Sequence, residues 1–265
     1  MADHGKGDAE TTPALSGHLQ DTPARQTARA VIRDIVLKLD PDVIALLEDA
    51  ALSPDAGGVQ RSVSDALALG ARPDDLADFY IPAIARAMGD RWCEDQMSFA
   101  SVTIGVSRLQ TMLHILGPQW RAERAISPTA PAIMLVVPED AHHTLGAMIL
   151  SGQLRRRGFS VRLVLGAKPA EIAQRVCRTT FDAVFVSAAR GQTLDSLRQI
   201  IENIKTVADN PPPIVVGGSI LDVQSVADIL ALTGADHATG KPDEALRICG
   251  LLTKEQTIAN FRTGE

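Results

Sequence analysis

The sequence predicts an α + α/β chain in which a bundle of helices precedes a doubly wound parallel sheet. Three observations predict it. From Thr27 to Leu116, apolar residues recur at the spacing of one helix face. Ser127-Pro-Thr-Ala-Pro131 then interrupts the pattern. Beyond it, short apolar runs without alternation take turns with amphipathic segments, as buried parallel strands and their crossover helices do.

Residues 1–25 are rich in Gly, Asp, Thr, Pro and Ser without periodicity, and read as a disordered tail. Residues 26–125 read as an all-α domain of four or five helices. Ala30, Ile32, Ile35, Val36 and Leu39 share a face, which Val43, Leu46, Leu47 and Ala50 continue after Pro41. Val63 to Leu69 forms a further helix that ends at Gly70. Asp74 or Asp75 caps the next, which carries Leu76, Phe79, Ile81, Ile84, Ala85 and Met88, with a kink or delayed start near Pro82. Phe99 to Leu116 is apolar and stops at Gly117-Pro118. Residues 126–131 are the linker, and 132–255 the α/β domain. Its strands are expected at 132–137, 160–165, 182–187, 213–217 and 235–239. Its helices are expected at 143–157, 168–178, 193–207, 222–231 and 243–252. Five strands with helices between them indicate a flavodoxin-like, Rossmann-type unit, followed by a tail at 256–265. Gly158 ends the first of these helices, and Arg155-Arg-Arg157 before it compensates the helix dipole.

Hydrophobic residues make up 45% of the chain and aromatics 3%, so a real core exists and is mostly aliphatic. The net charge of −6 argues against a free-standing nucleic-acid binder, which carries a basic excess; contact with DNA is then indirect at most. No apolar run approaches the ~18 residues of a membrane helix. Met1 to Arg25 lacks an apolar signal core, so the expected location is the cytoplasm, away from the membrane. Cys93, Cys177 and Cys249 form no CxxC pair and read as buried free thiols.

Three features fall at the carboxyl ends of expected strands, where open α/β sheets bind ligands. After Ala132-Ile-Met-Leu-Val-Val137 come Pro138-Glu-Asp-Ala141 and then His142-His-Thr-Leu-Gly146. An imidazole there, followed by a glycine that permits close approach, can reach a metal or cofactor over the sheet. Ser187 closes the third strand and offers a hydroxyl. Gly217-Gly218 closes the fourth and removes side chains where a ligand needs room against the backbone. Each has a plain alternative: a solvated histidine at a helix start, a serine serving its own loop, a tight turn of glycines. Their conjunction favours a ligand slot. A receiver domain is disfavoured because the third strand ends at Ser187 and not at an aspartate, and a dinucleotide binder because no GxGxxG follows the first strand.

These residues resemble the cobalamin-binding domains whose signature is Asp-x-His-x-x-Gly, then Ser-x-Leu, then Gly-Gly. Here 40 residues separate Gly146 from Ser187 and 27 separate Ala189 from Gly217, spacings that suit the family. The resemblance implies cobalamin as cofactor, as hydroxocobalamin or adenosylcobalamin. It implies that His143 is the lower ligand of cobalt, that Ser187, Gly217 and Gly218 line the pocket of the benzimidazole tail, and that Gly146 is a further cofactor-binding residue; His142 has no counterpart in the motif and is a second candidate for cobalt in its own right. Two positions depart: Ala141 stands at the motif's aspartate, and Ser187-Ala-Ala189 at Ser-x-Leu. The aspartate's task is to orient the histidine and raise its basicity.

Ala87-Met-Gly-Asp-Arg-Trp92 through Phe99 is similar to the helical cap of light-responsive cobalamin regulators and methyl carriers, which implies that Trp92 covers the upper face of the corrin. Val102-Thr103 stands where adenosylcobalamin photoreceptors carry a Glu-His pair. The whole pattern, with Phe99-Ala-Ser-Val-Thr-Ile-Gly105-Val-Ser-Arg-Leu-Gln110, looks closest to the AerR/PpaA antirepressors of photosynthetic bacteria. That likeness implies a cobalamin-binding, light-responsive transcription regulator that binds a CrtJ/PpsR-type repressor of photosynthesis genes and catalyses nothing. The alternative is a corrinoid methyl carrier of a methyltransferase system.

Overall fold

Helices of two kinds organise the described residues: most serve one core, and one serves two. The structure is a computed structural model that describes residues 39–55, 57–120, 129–139, 141 and 143–252. The expected tails, the helix starting at Thr27, residues 126–128 of the linker and His142 lie outside the described residues.

Helix α1 (Pro41–Leu52) begins where Pro41 takes the first turn and the Asp40 carboxylate accepts the Asp42 amide at 2.9 Å. It buries Val43, Leu47, Ala50 and Ala51. Helix α2 (Gly58–Ala68) starts at Gly58, ahead of the expected Val63, and buries Val59, Val63 and Ala66. A continuous helical run follows: a short turn Pro73–Asp75, a π-helical turn Leu76–Tyr80, and α3 (Ile81–Cys93). Pro82 has no amide hydrogen, and the π turn ahead of it absorbs the misfit, with the Ile81 amide bonding the Leu76 carbonyl.

This local geometry corrects two expectations. Pro73 occupies the first helical position, so Asp74 and Asp75 lie inside the first turn and cap nothing. The extra residue of the π turn rotates Phe79 out to 41% exposure, while Leu76, Ala77 and Tyr80 stay buried. Helix α4 (Phe99–Trp120) also overruns its expected stop at Gly117-Pro118. Proline near a helix end forfeits only one hydrogen bond, and Leu113 and Leu116 are already buried there. Helices α3 and α4 meet closely at Gly105, where a Cβ would lie 2.7 Å from the Met88 sulfur.

The second half contains β1 (Ala132–Pro138), α5 (Leu145–Arg156), β2 (Ser160–Ala167), α6 (Pro169–Arg178), β3 (Ala183–Ser187), α7 (Leu194–Val207), β4 (Ile214–Gly217), α8 (Val226–Thr233), β5 (His237–Ala238) and α9 (Pro242–Ile248). The strands pair in parallel in the order β2-β1-β3-β4-β5. Alternation along each strand divides the core in two. Met134, Val136, Val184, Val186, Ile214 and Val216 pack under α6, α7 and α8 with Ile172, Leu197 and Ile229. Ile133, Leu135, Val137, Ala183, Phe185 and Val215 pack under α5 and α9 with Ala147, Leu154, Ala245 and Leu246.

The helix expected at 222–231 divides into a 3-10 turn Ser219–Asp222 and α8, because the Ser225 hydroxyl accepts the Asp228 amide and starts a new helix. The last strand is shorter than expected because Asp236 turns its carboxylate to the Ile214 amide (2.8 Å) and to Lys205 (2.7 Å).

Helix α5 belongs to both halves. Leu145 and Ile149 are buried in the core of the helical half, beside residues such as Leu109, Met112 and Leu113. Ala147 and Leu154 face the sheet. At its start, the Gln110 side-chain amide donates to the Thr144 hydroxyl at 2.8 Å. At its end, Arg156 pairs with Asp78 of the π turn, both side chains about five-sixths buried. The arginine triplet thus does more than compensate a dipole: Arg155 donates to the Val161 carbonyl (2.8 Å), and Arg157 pairs with Asp243.

The cysteines correct the composition-based reading. Cys93 and Cys177 are exposed, since Cys93 ends α3 and Cys177 lies just off the buried stripe Ile172, Ala173 and Val176 of α6. Cys249 is half-buried, and burial, with the Asp236 carboxylate adding to it, pushes its thiol up to about 11. No helix among the described residues is long and apolar enough to cross a membrane.

If α5 joins the two cores, Ile149→Ala destabilises the chain by about 2–4 kcal/mol, the usual cost of such a truncation in a core. Amide exchange rises in α1 to α4 as well as in α5. A variant whose loss stays confined to the sheet half contradicts this shared role.

Candidate functional site

β1, second in the sheet, carries the chain to the sheet's carboxyl edge. The path leaves β1 towards β2 and returns to β3 on the other side, so the strand order reverses beside β1. At such a reversal the two connections diverge and leave a crevice. After Pro138 the chain turns tightly, with the Ala141 amide donating to the Pro138 carbonyl at 3.0 Å. Ala141 is buried by this turn. His143 follows it, exposed, and its ring makes no hydrogen bond among the described residues. A Cβ on Gly146 would meet nothing within 4 Å, so open space adjoins the start of α5. Glu139 lies 4.0 Å from Lys168, exposed.

Ser187 and Gly217 pair in register at the ends of β3 and β4. Strand alternation places both on the face covered by α5 and α9, in line with Phe185 and Val215. Ser187 is half-buried there. The two glycines have a structural reason that the sequence alone does not reveal. A Cβ at Gly217 would lie 2.8 Å from the Thr239 carbonyl oxygen. Gly218 has φ +96°, and its Cβ would come within 2.4 Å of the Ala188 carbonyl oxygen. The backbone of neighbouring loops fills the space that the glycines vacate, a demand of the fold that holds with or without a ligand alongside.

Trp92 belongs to a separate cluster at the end of α3. It is 46% exposed, and its ring lies 5.9 Å from that of Phe99 at 56°. The loop between them contains Asp95 at φ 58°, a left-handed conformation uncommon for a residue with a side chain. Trp92, Asp95, Gln96, Met97, Ser98 and Phe99 line one shallow depression. Among the described residues, the rings share no hydrogen bond or ring contact with the strand-end residues. Thr103 donates its hydroxyl to the Phe99 carbonyl (2.8 Å) within its own helix.

Sequence reasoning missed the ties that hold these loops. Arg190 bonds Asp222 at 2.6 and 3.0 Å, and its amide donates to the Ser219 hydroxyl, so the loop after β3 is strapped to the loop after β4. The Gln192 side chain accepts the Ala189 amide at 2.7 Å. The partners of Arg190 lie 29 and 32 residues away in the chain and leave no local pattern.

This arrangement fits a corrinoid. A bare metal ion needs several protein ligands, and no group of three or more His, Cys, Asp or Glu side chains suited to a metal ion exists among the described residues. A metal already held in a macrocycle needs only one axial donor, and His143 presents one. The small side chains of Ala147, Ala183 and Ala245 lie on the face shared with Ser187 and Gly217.

Residues 131–248 match the B12 binding domain. A Rhodobacter capsulatus protein, "Uncharacterized 20.5 kDa protein in bchF-crtJ intergenic region", is 34% identical over 166 residues, 63% of this chain and 85% of that one. The chain belongs to that protein's family. Its second half is a cobalamin-binding domain. The HTH-type transcriptional repressor CarA of Myxococcus xanthus is 28% identical over 142 residues, which are 53% of this chain and 46% of CarA. Among solved structures, the monomethylamine corrinoid protein of Methanosarcina barkeri superposes with a TM-score of 0.64 at 14% identity, over 80% of this chain and 99% of its own. That likeness shows the fold: a helical region followed by a five-stranded parallel sheet.

Gly218→Ala forces both a positive φ and a backbone clash, so the cofactor-free protein should lose about 2–4 kcal/mol, the range of strained or overpacked sites. A thermal melt within a degree of the parent would show that the glycine answers to a ligand alone.

Proposed function

We propose that the chain is a cobalamin-binding, light-responsive transcriptional regulator, an antirepressor that acts on a CrtJ/PpsR-type repressor of photosynthesis genes and performs no catalysis of its own. The observation that carries the reading is an exposed imidazole, His143, at the sheet's point of strand reversal in a B12 binding domain. Two likenesses support the regulatory part. The Rhodobacter relative is named for its place beside crtJ, and the weaker likeness is to a transcriptional repressor.

In this reading His143 is the lower ligand of cobalt, with His142 as a second candidate. Ser187 and the turn at Gly217-Gly218 hold the nucleotide tail against the α5 and α9 face, and Trp92 covers the upper side. Cobalamin, as the hydroxo or adenosyl form, would supply light absorption and, in the adenosyl form, a light-sensitive cobalt–carbon bond. The helical half responds by shifting between two packings, as any element does that binds the two ligand states with different affinity. The partner surface on that half is then presented or withdrawn. Contact with DNA is indirect, and the protein works in the cytoplasm. The domain limits for this reading are the helical cap at 26–125, the linker at 126–131 and the cobalamin domain at 132–255.

A corrinoid methyl carrier is the second reading, since its fold is shared with the Methanosarcina protein. Ala141 weighs against it, because a carrier relies on the motif's aspartate to tune the histidine as cobalt changes oxidation state.

The purified chain should take up hydroxocobalamin, show bound visible absorption, and change its elution with a CrtJ/PpsR-type repressor between dark and light. His143→Ala should weaken cobalamin binding about tenfold or more, at least the loss seen when groups supporting a metal ligand are removed. His142→Ala should weaken it less. Absence of bound absorption in dark and light alike refutes the reading, and efficient cycling to Co(I) with a reductant in place of a light response selects the carrier.

A further inference from the structure

We propose that Gln110 is a positioning residue that ties the histidine loop to the helical half, by donating its side-chain amide to the Thr144 hydroxyl. The inference rests on the reading of His143 as cobalt's ligand and names the route by which its state reaches α4.

Thr144 immediately precedes α5, where a threonine commonly accepts an amide of its own helix. Here it does not. Its backbone is helical (φ −94°, ψ −18°), and its side chain caps nothing. The hydroxyl accepts instead from Gln110 Nε2 at 2.8 Å, a bond between half-buried groups that are 34 residues apart. Gln110 sits mid-way along α4, one residue after the fully buried Leu109. On the other side of the bond, Leu145 is packed in the same helical core. Thr144 is thus held by its neighbour in the core and by its own hydroxyl, while His143, the residue before it, stands free at the surface.

That contrast makes the bond a point of transmission. Coordination fixes an imidazole in space and fixes its backbone with it. The adjacent residue cannot move independently of that backbone, and among the described residues its one polar side-chain tie runs to α4. A change in the bond at His143 therefore strengthens or strains the link between Thr144 and Gln110. Helix α4 carries the strain to Gly105, where it crosses Met88 of α3 with no room to spare, and so to the helix whose last turn carries Trp92. A polar tie between packed elements has two discrete states, made and broken, and a two-state element is what coupling between sites needs.

The test uses the full chain, free and loaded with hydroxocobalamin, and follows amide hydrogen exchange. In the parent, loading slows exchange several-fold at the start of α5 and in α4 around Gln110. Thr144→Val keeps the shape and loses the acceptor. It should still bind cobalamin with the parent's absorption spectrum and slow exchange at α5, while α4 no longer responds. Gln110→Ala should behave alike, and Thr144→Ser should restore the response. A Thr144→Val protein whose α4 still responds like the parent overturns the inference, as does a parent whose α4 ignores loading. If the parent binds no hydroxocobalamin, the cobalamin reading itself fails, and this inference with it.

Discussion

Helix α5 is the constraint on which the rest depends. One face closes the sheet with Ala147 and Leu154, and another completes the helical core with Leu145 and Ile149. Polar ties clamp both ends, Thr144 to Gln110 and Arg156 to Asp78. Because one rigid element is buried on both sides, the helical half cannot drift over the sheet without breaking one core or the other. The same helix begins one residue past Thr144, directly after the histidine loop. The geometry that unites the two halves is therefore also the geometry that positions the candidate ligand.

Around that helix, the site draws on features with different costs. The imidazole of His143 is exposed and free, so its use as a ligand displaces no existing bond. The glycine pair is different, because its backbone is committed to Ala188 and Thr239, and the straps from Arg190 to Asp222 hold the same corner shut. One side of the crevice is thus preorganised and the other is adaptable. Such a division suits a cofactor whose tail needs a fixed slot and whose metal needs a donor that can come and go.

Much of this was legible in the sequence. Strands β1, β3 and β4 announce themselves as apolar runs because both of their faces are covered, and the spacing from Gly146 to Ser187 to Gly217 locates three loops on one edge of the sheet. What was illegible depends on contacts between distant elements. The π turn before Pro82 and the outward swing of Phe79 come from a hydrogen-bond shift that leaves no periodic signature. The arginine triplet looked like dipole compensation because its partners, Val161, Asp78 and Asp243, lie on three separate elements. The glycine pair looked like room for a ligand because only the folded chain brings Ala188 and Thr239 against it. Cysteine burial was misjudged because composition does not tell which face of a helix a residue occupies. His142 falls outside the described residues.

The most direct measurement is electron paramagnetic resonance of the Co(II) form of the loaded protein, prepared with ordinary and with 15N-labelled histidine. The account predicts superhyperfine splitting from one axial nitrogen that changes from a triplet to a doublet on labelling, and that is lost in His143→Ala. A triplet unaffected by the label would show that the benzimidazole, not the protein, holds the cobalt, and would contradict the account.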